Sequence, residues 1–279
     1  MSFIEALQAA VLGVVEGLTE FLPISSTGHL IIAADWIGFS KHPFANTFLV
    51  AIQAGAILAV CWYYRGLIFG ILRNLFKRGP EQRLALNTII AFLPAVLVGL
   101  VVADFIKAHC FNIVTVVTTL IAGGVVLLWI EKRTSSCGAR PARIERMQDM
   151  TWREALGVGI AQCFAMIPGT SRSGSTIVGG LLLGLSRKAA TEFSFFLGIP
   201  TILGATVFDL WHSRTTLMAG QWSFGLFAIG FCVSFVSALA VVKWLIGFVS
   251  RNDYRPFGWY RIGFGILLLL LYFSGLVTF

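Results

Sequence analysis

The chain has 279 residues, 57% of them hydrophobic and only 12% charged, with a formal net charge of +8. A soluble domain carries roughly 25% charged residues, and one core could not bury this much apolar side chain, so a soluble globular protein is excluded. The basic balance does not signal nucleic acid, because the cations sit in short loops between apolar runs and no nucleic-acid motif occurs.

Residues 3–22 form an apolar segment carrying Glu5, Glu16 and Glu20. It lacks the basic start of a cleavable signal peptide, so insertion is expected to use the spans themselves. The segment ends at Pro23, continues as Ile24-Ser25-Ser26-Thr27-Gly28, and resumes as a short apolar piece over about 29–39. Residues 44–64, 85–106 and 112–130 are each long enough to cross a bilayer, which takes about 20 mainly apolar residues. A basic loop, about 131–153, follows. A second interrupted segment, 154–167, ends at Pro168, passes through Gly169-Thr170-Ser171-Arg172-Ser173-Gly174-Ser175, and resumes over about 175–185. Spans at 190–211, 221–248 and 257–278 complete the chain.

Irregular backbone at membrane depth survives only where protein buries it or it lines a wet cavity. The expected fold is therefore an all-α polytopic membrane protein: six transmembrane helices plus two re-entrant helix–loop–helix hairpins. The two breaks align, Pro23–Gly28 on Pro168–Gly174 with one inserted residue, and Glu5-Ala-Leu upstream matches Glu154-Ala-Leu. Paired broken helices predict inverted repeats. The expectation is one membrane domain over 1–279: a first repeat of about 1–130, a cytoplasmic loop of about 131–153, and a second repeat of about 154–279. Fifteen of the 21 Lys and Arg residues fall in loops of one parity, those at 65–84, 131–153, Arg187–Lys188 and Arg251–Arg255. Positive-inside bias places these loops in the cytoplasm. The first hairpin then enters from outside and the second from the cytoplasm.

Glu16 and Glu20 are four apart, one turn along one helix face. Two carboxylates at membrane depth call for compensation, and a divalent metal of the magnesium or calcium class suits them as ligands. Ser25, Ser26, Thr27 and His29 follow at once, offering hydroxyl nucleophiles and a proton carrier, although Ser and Thr after Pro also cap a new helix. The second break supplies positive charge. Gly169 and Gly174 let main-chain amides converge on an anion, with Thr170, Ser171 and Ser173 alongside, and Arg172 presents a planar fork to phosphate oxygens. Acids, hydroxyls, histidine, arginine and an amide nest are the set that phosphoryl transfer asks for, and a site among membrane helices suits a phosphate carried on a lipid. A transporter built on paired broken helices is the main alternative. Cys61, Cys110, Cys137, Cys163 and Cys232 form no metal spacing and read as apolar filler. His42, His109 and His212 read as interfacial.

The stretch from Leu12 to His29, LGVVEGLTEFLPISSTGH, closely resembles the first signature of the bacterial undecaprenyl-diphosphate phosphatase family, also called the bacitracin resistance protein family. Pro168–Gly174 resembles its second signature, and Glu192-Phe-Ser-Phe also looks like the family. The resemblance covers essentially the whole chain. It implies two re-entrant hairpins in inverted repeats and hydrolysis of undecaprenyl diphosphate to the monophosphate plus phosphate. That step recycles the lipid carrier of cell-wall precursors and confers bacitracin resistance. The resemblance also implies a divalent cation, a site opening to the outer face of the bacterial cytoplasmic membrane, and Glu16, Glu20, Ser26, His29 and Arg172 as essential residues, with Thr27 and Ser173 nearby. Attack by Ser26 and attack by His29 both fit the motif. The expected partners are the polyprenyl diphosphate and membrane lipids; a homodimer is compatible with the sequence.

Overall fold

The computed structural model describes residues 2–135, 142–212, 214 and 223–275. Cys137 and Arg140, the first residues of the span expected at 221–248 and the last of that at 257–278 lie outside them. The helices are α1 (Phe3–Thr19), α2 (Ser26–Trp36), α3 (Ala45–Tyr63), α4 (Arg65–Asn74), α5 (Pro80–His109), α6 (Ile113–Ser135), α7 (Trp152–Cys163), α8 (Arg172–Leu182) and α9 (Arg187–His212). They are followed by α10 (Phe224–Val249) and α11 (Arg255–Phe273).

Six of these are long and apolar enough to cross a membrane: α3, most of α5 and α6, α9, α10 and α11. They coincide with the six expected spans. Leu97, Leu100 and Val101 on α5 are exposed, as a lipid-facing surface requires. One expectation is corrected. Residues 65–84 are not simply a loop, because they contain α4, whose Ile71 is buried while Phe69 and Leu72 are exposed.

Both interrupted segments fold as helix, turn, helix. Each first helix opens on a capping box. Ser2 caps α1 with Glu5 reaching back to its amide, and Thr151 caps α7 with Glu154 doing the same. The matched Glu-Ala-Leu triplets therefore hold equivalent places. α1 packs on α2, and α7 packs on α8.

The chain forms two compact units, and both draw on both halves of the sequence. One comprises Met1–Phe21, Ser26–Tyr63 and Gly198–Trp244. Its core holds Leu12, Leu30, Phe39, Phe48, Ile52 and Leu226. Here α1 lies tight against α10: a Cβ on Gly13 would stand 2.6 Å from the Gly230 carbonyl oxygen. On Gly17 it would stand 2.0 Å from Ser237 Oγ. Small residues four apart give this close approach, and the Ser237 hydroxyl donates to the Gly13 carbonyl at 3.2 Å.

The other unit comprises Leu22–Ser25, Tyr64–Leu197 and Leu245–Phe279. Within it α6 packs on α11, α5 on α7, and α6 on α8. One ion pair anchors it. Arg187 donates to fully buried Glu131 through Nε at 3.0 Å and Nη2 at 2.5 Å, and the Tyr254 amide donates to the same carboxylate at 2.9 Å.

Candidate functional site

In the first unit the acidic face of α1 is inside. Glu16 is fully buried and Glu20, Ser26 and His29 nearly so. Glu20 caps the C-terminal end of α1, its amide donating to the Glu16 carbonyl at 2.9 Å. The turn that follows brings the first residue of α2 back to it, and Ser26 Oγ donates to Glu20 Oε2 at 2.6 Å. A short bond from a hydroxyl to a carboxylate is an arrangement in which the carboxylate can take the hydroxyl proton. Thr27 is half-buried beside this pair in sequence, and His29 lies one turn into α2.

The second unit contains the other break and the tip of the first. Ser25 and Ser171 both hold a φ of 73°. Such a backbone is rare for a residue with a side chain and marks strain of about 1–3 kcal/mol. Each serine directly precedes a helix, α2 after Ser25 and α8 after Ser171. Ser171 stabilises its own turn by accepting the Gly174 amide at 3.1 Å. Its hydroxyl also lies 3.1 Å from Ser173 Oγ. Ser173 is fully buried and donates to the Leu22 carbonyl at 2.8 Å, joining the two breaks. Gly169 has a φ of 86°, and a Cβ there would stand 2.2 Å from Thr119 Oγ1, so the position admits only glycine. Thr119 donates to the Pro168 carbonyl at 2.6 Å.

Arg172, half-buried, donates from Nη1 to the Ser194 carbonyl at 2.9 Å. Ser194 Oγ in turn pairs with Thr176 Oγ1 at 2.7 Å. The amides of Thr170, Gly174 and Ser175 bond within the segment, to Ile167 O, Ser171 Oγ and Ser171 O. These three amides are engaged inside the turn itself.

The model of the family described as bacitracin resistance protein BacA matches residues 9–267 of the chain. The chain belongs to this family. It is 51% identical over 278 residues to undecaprenyl-diphosphatase 2 of Rhodospirillum rubrum, covering 100% of this chain and 99% of that one. It is 52% identical over 275 residues to undecaprenyl-diphosphatase 1 of Paraburkholderia xenovorans, covering 99% and 98%. With the undecaprenyl-diphosphatase of Pseudomonas syringae pv. tomato it shares 53% over 264 residues, covering 95% and 93%.

Two residues absent from the sequence-derived set serve the family's second signature. Ser194 lies in the Glu192-Phe-Ser-Phe stretch, where the resemblance marked the segment without giving its role. Arg261 donates to the Gly169 and Thr170 carbonyls at 3.0 and 2.9 Å. A lone arginine in the apolar run of α11 carries no signal of such partners. Among the described residues no three His, Cys, Asp or Glu side chains gather as a metal centre. Glu16 and Glu20 nonetheless offer two buried carboxylates and Ser26 a hydroxyl, all oxygen donors of the kind hard cations accept.

Proposed function

We propose that this family member hydrolyses undecaprenyl diphosphate to undecaprenyl phosphate and inorganic phosphate, recycling the lipid carrier of cell-wall synthesis and conferring bacitracin resistance. The observation that carries the reading is the buried hydrogen bond from Ser26 to Glu20. A carboxylate on a serine hydroxyl, inside a membrane protein half identical along its length to enzymes named undecaprenyl-diphosphatase, has phosphoryl transfer as its natural chemistry.

In this reading Glu20 takes the Ser26 proton as the oxygen attacks the terminal phosphorus. The P–O bond to serine forms, the anhydride P–O bond breaks, and undecaprenyl phosphate leaves. Water then releases phosphate from the serine, with His29 carrying the proton. Direct attack by His29 is the alternative, and the Ser26–Glu20 bond favours the serine. Arg172 and the amides beside it, with Thr170, Ser171 and Ser173 shaping the turn, bind diphosphate oxygens and stabilise charge as it develops. Ser25 and Thr27 flank the nucleophile. The alternative role for Glu16 and Glu20 is to hold a magnesium or calcium ion, which would supply positive charge to the phosphoryl oxygens. The family resemblance assigns both residue sets to one reaction.

The positive-inside count supports basic loops on the cytoplasmic side, and the family resemblance implies the bacterial cytoplasmic membrane with the site opening to the outer face. The two helix–turn–helix segments suit re-entrant hairpins. The matched breaks also suit a lipid flippase, and one preparation separates the readings. Purified protein in detergent should release phosphate from undecaprenyl diphosphate and lose turnover with a chelator. In liposomes a flippase would move intact lipid without releasing phosphate.

A further inference from the structure

Arg261 stands within α11, a candidate membrane span, about two turns from its start, with 1% of its surface exposed. A charge in such a place is expensive and points to a role. A guanidinium has five N–H donors, and here each finds an acceptor. Nε donates to the Leu120 carbonyl at 3.2 Å. Nη1 donates to Pro23 at 3.1 Å and Thr170 at 2.9 Å. Nη2 donates to Thr119 at 2.9 Å and Gly169 at 3.0 Å. All five acceptors are main-chain carbonyls. Three belong to the two breaks and two to α6.

The slot for this group is lined by glycine. A Cβ on Gly123 would stand 2.2 Å from Nη2, and one on Gly174 would stand 3.2 Å from Nη1. A residue needed only to fill space would be apolar, and a lysine has three donors on a point charge where this site uses a planar fork of five. With every donor engaged by the main chain, the guanidinium is not available to substrate. Its work is to fix where the two breaks lie.

We infer that Arg261 is a positioning residue for the phosphatase reaction: it clasps the Pro23 turn to the Gly169–Thr170 turn and sets the geometry in which Ser25 and Ser171 lead into their helices. This rests on the phosphatase reading given above. A misplacement of about 1 Å at a reacting group costs on the order of 100-fold in rate, so loss of the clasp acts on kcat. KM depends on binding groups that remain.

The test uses full-length Arg261→Lys, Arg261→Ala and Gly123→Ala proteins purified in detergent beside wild type. Gly123→Ala keeps the arginine and displaces it, so it serves if the Arg261 variants do not fold. Phosphate release from undecaprenyl diphosphate is measured per folded molecule, and hydrogen exchange is followed in peptides covering Leu22–Ser25 and Pro168–Thr170. The expected result is a kcat lower by at least about tenfold with KM within about threefold, partial recovery of Arg261→Ala by added guanidinium ion, and faster exchange in both peptides together. Folded variants with kcat within about twofold of wild type, a loss confined to KM, or unchanged exchange in either peptide would overturn the assignment. A wild-type protein that released no phosphate would instead strike the phosphatase reading, and the exchange result would still decide whether Arg261 clasps the breaks.

Discussion

Ser25 and Ser171 share a φ of 73°, each one residue ahead of the second helix of a helix–turn–helix segment. Each serine stands three residues before the glycine that closes its break, Gly28 or Gly174, and the backbone gives the two the same conformation. In both, the chain turns sharply so that a polar residue, Ser26 or Arg172, becomes the first residue of the new helix.

At Ser171 two effects separate cleanly. The side chain caps Gly174, while the backbone bears the strain of a left-handed φ. Ser171→Ala removes the cap and keeps the strain, which costs about 1 kcal/mol. Ser171→Gly also loses the cap but relieves the strain. Thermal unfolding in detergent should rank the glycine variant at or above wild type and the alanine variant below it.

Gly17 lies between Glu16 and the turn that brings Ser26 to Glu20. An added methyl would stand 2.6 Å from the Ser234 carbonyl oxygen and 2.7 Å from the Ala238 amide, and backbone cannot yield as a side chain does. Gly17→Ala should destabilise the protein by about 1–3 kcal/mol and lower turnover. At Gly66 nothing lies within 4 Å of a new Cβ. Gly66→Ala should leave both unfolding temperature and turnover near wild type.

The Glu131–Arg187 pair gives a third outcome. Glu131→Gln leaves the Arg187 guanidinium, whose side chain is 31% exposed, without its carboxylate, so the cost should fall below the about 3–5 kcal/mol of breaking a fully buried pair. Replacing both residues by methionine should recover part of that loss. Recovery should stay incomplete, because the Tyr254 amide also bonds to Glu131. Chemical unfolding of Glu131→Met, Arg187→Met and the double variant measures the coupling.

Glu154 links stability to pH. Burial raises its carboxyl, but hydrogen bonds from Thr151 and Arg143 outweigh this and hold it below the usual value of 4.5. The ion pair with Arg143 spans 2.6 Å. A carboxylate with a depressed folded pKa stabilises the fold above its unfolded pKa, and that contribution fades as pH falls through the folded value. Wild type should therefore lose its advantage over Glu154→Gln below about pH 4.5. Unfolding temperatures of the two proteins, compared from neutral to acid pH, check this.

The spans were legible because a window of about 20 apolar residues is a strong signal. The breaks were legible because proline followed by serine, threonine and glycine interrupts such a window abruptly. Their equivalence showed in Glu5 and Glu154, each the fourth residue of a capping box. α4 was hidden because Arg65, Arg73 and two glycines, Gly66 and Gly70, dilute its apolar pattern until it reads as a basic loop. Arg261 was hidden for a different reason. Its partners are carbonyls, which have no residue signature, and Pro23 lies 238 positions away. The partnership of Glu131 with Arg187, 56 positions apart, was equally invisible before the fold was known.

The hydrogen bond from Ser26 to Glu20 carries the functional reading, and one measurement tests it most directly. Purified wild type and Glu20→Gln are compared for the initial rate of phosphate release from undecaprenyl diphosphate. The account predicts steady release by wild type and a loss of about 100-fold or more in the variant, the size expected on removing a general base. Equal rates for the two proteins, or no release by wild type, would contradict it.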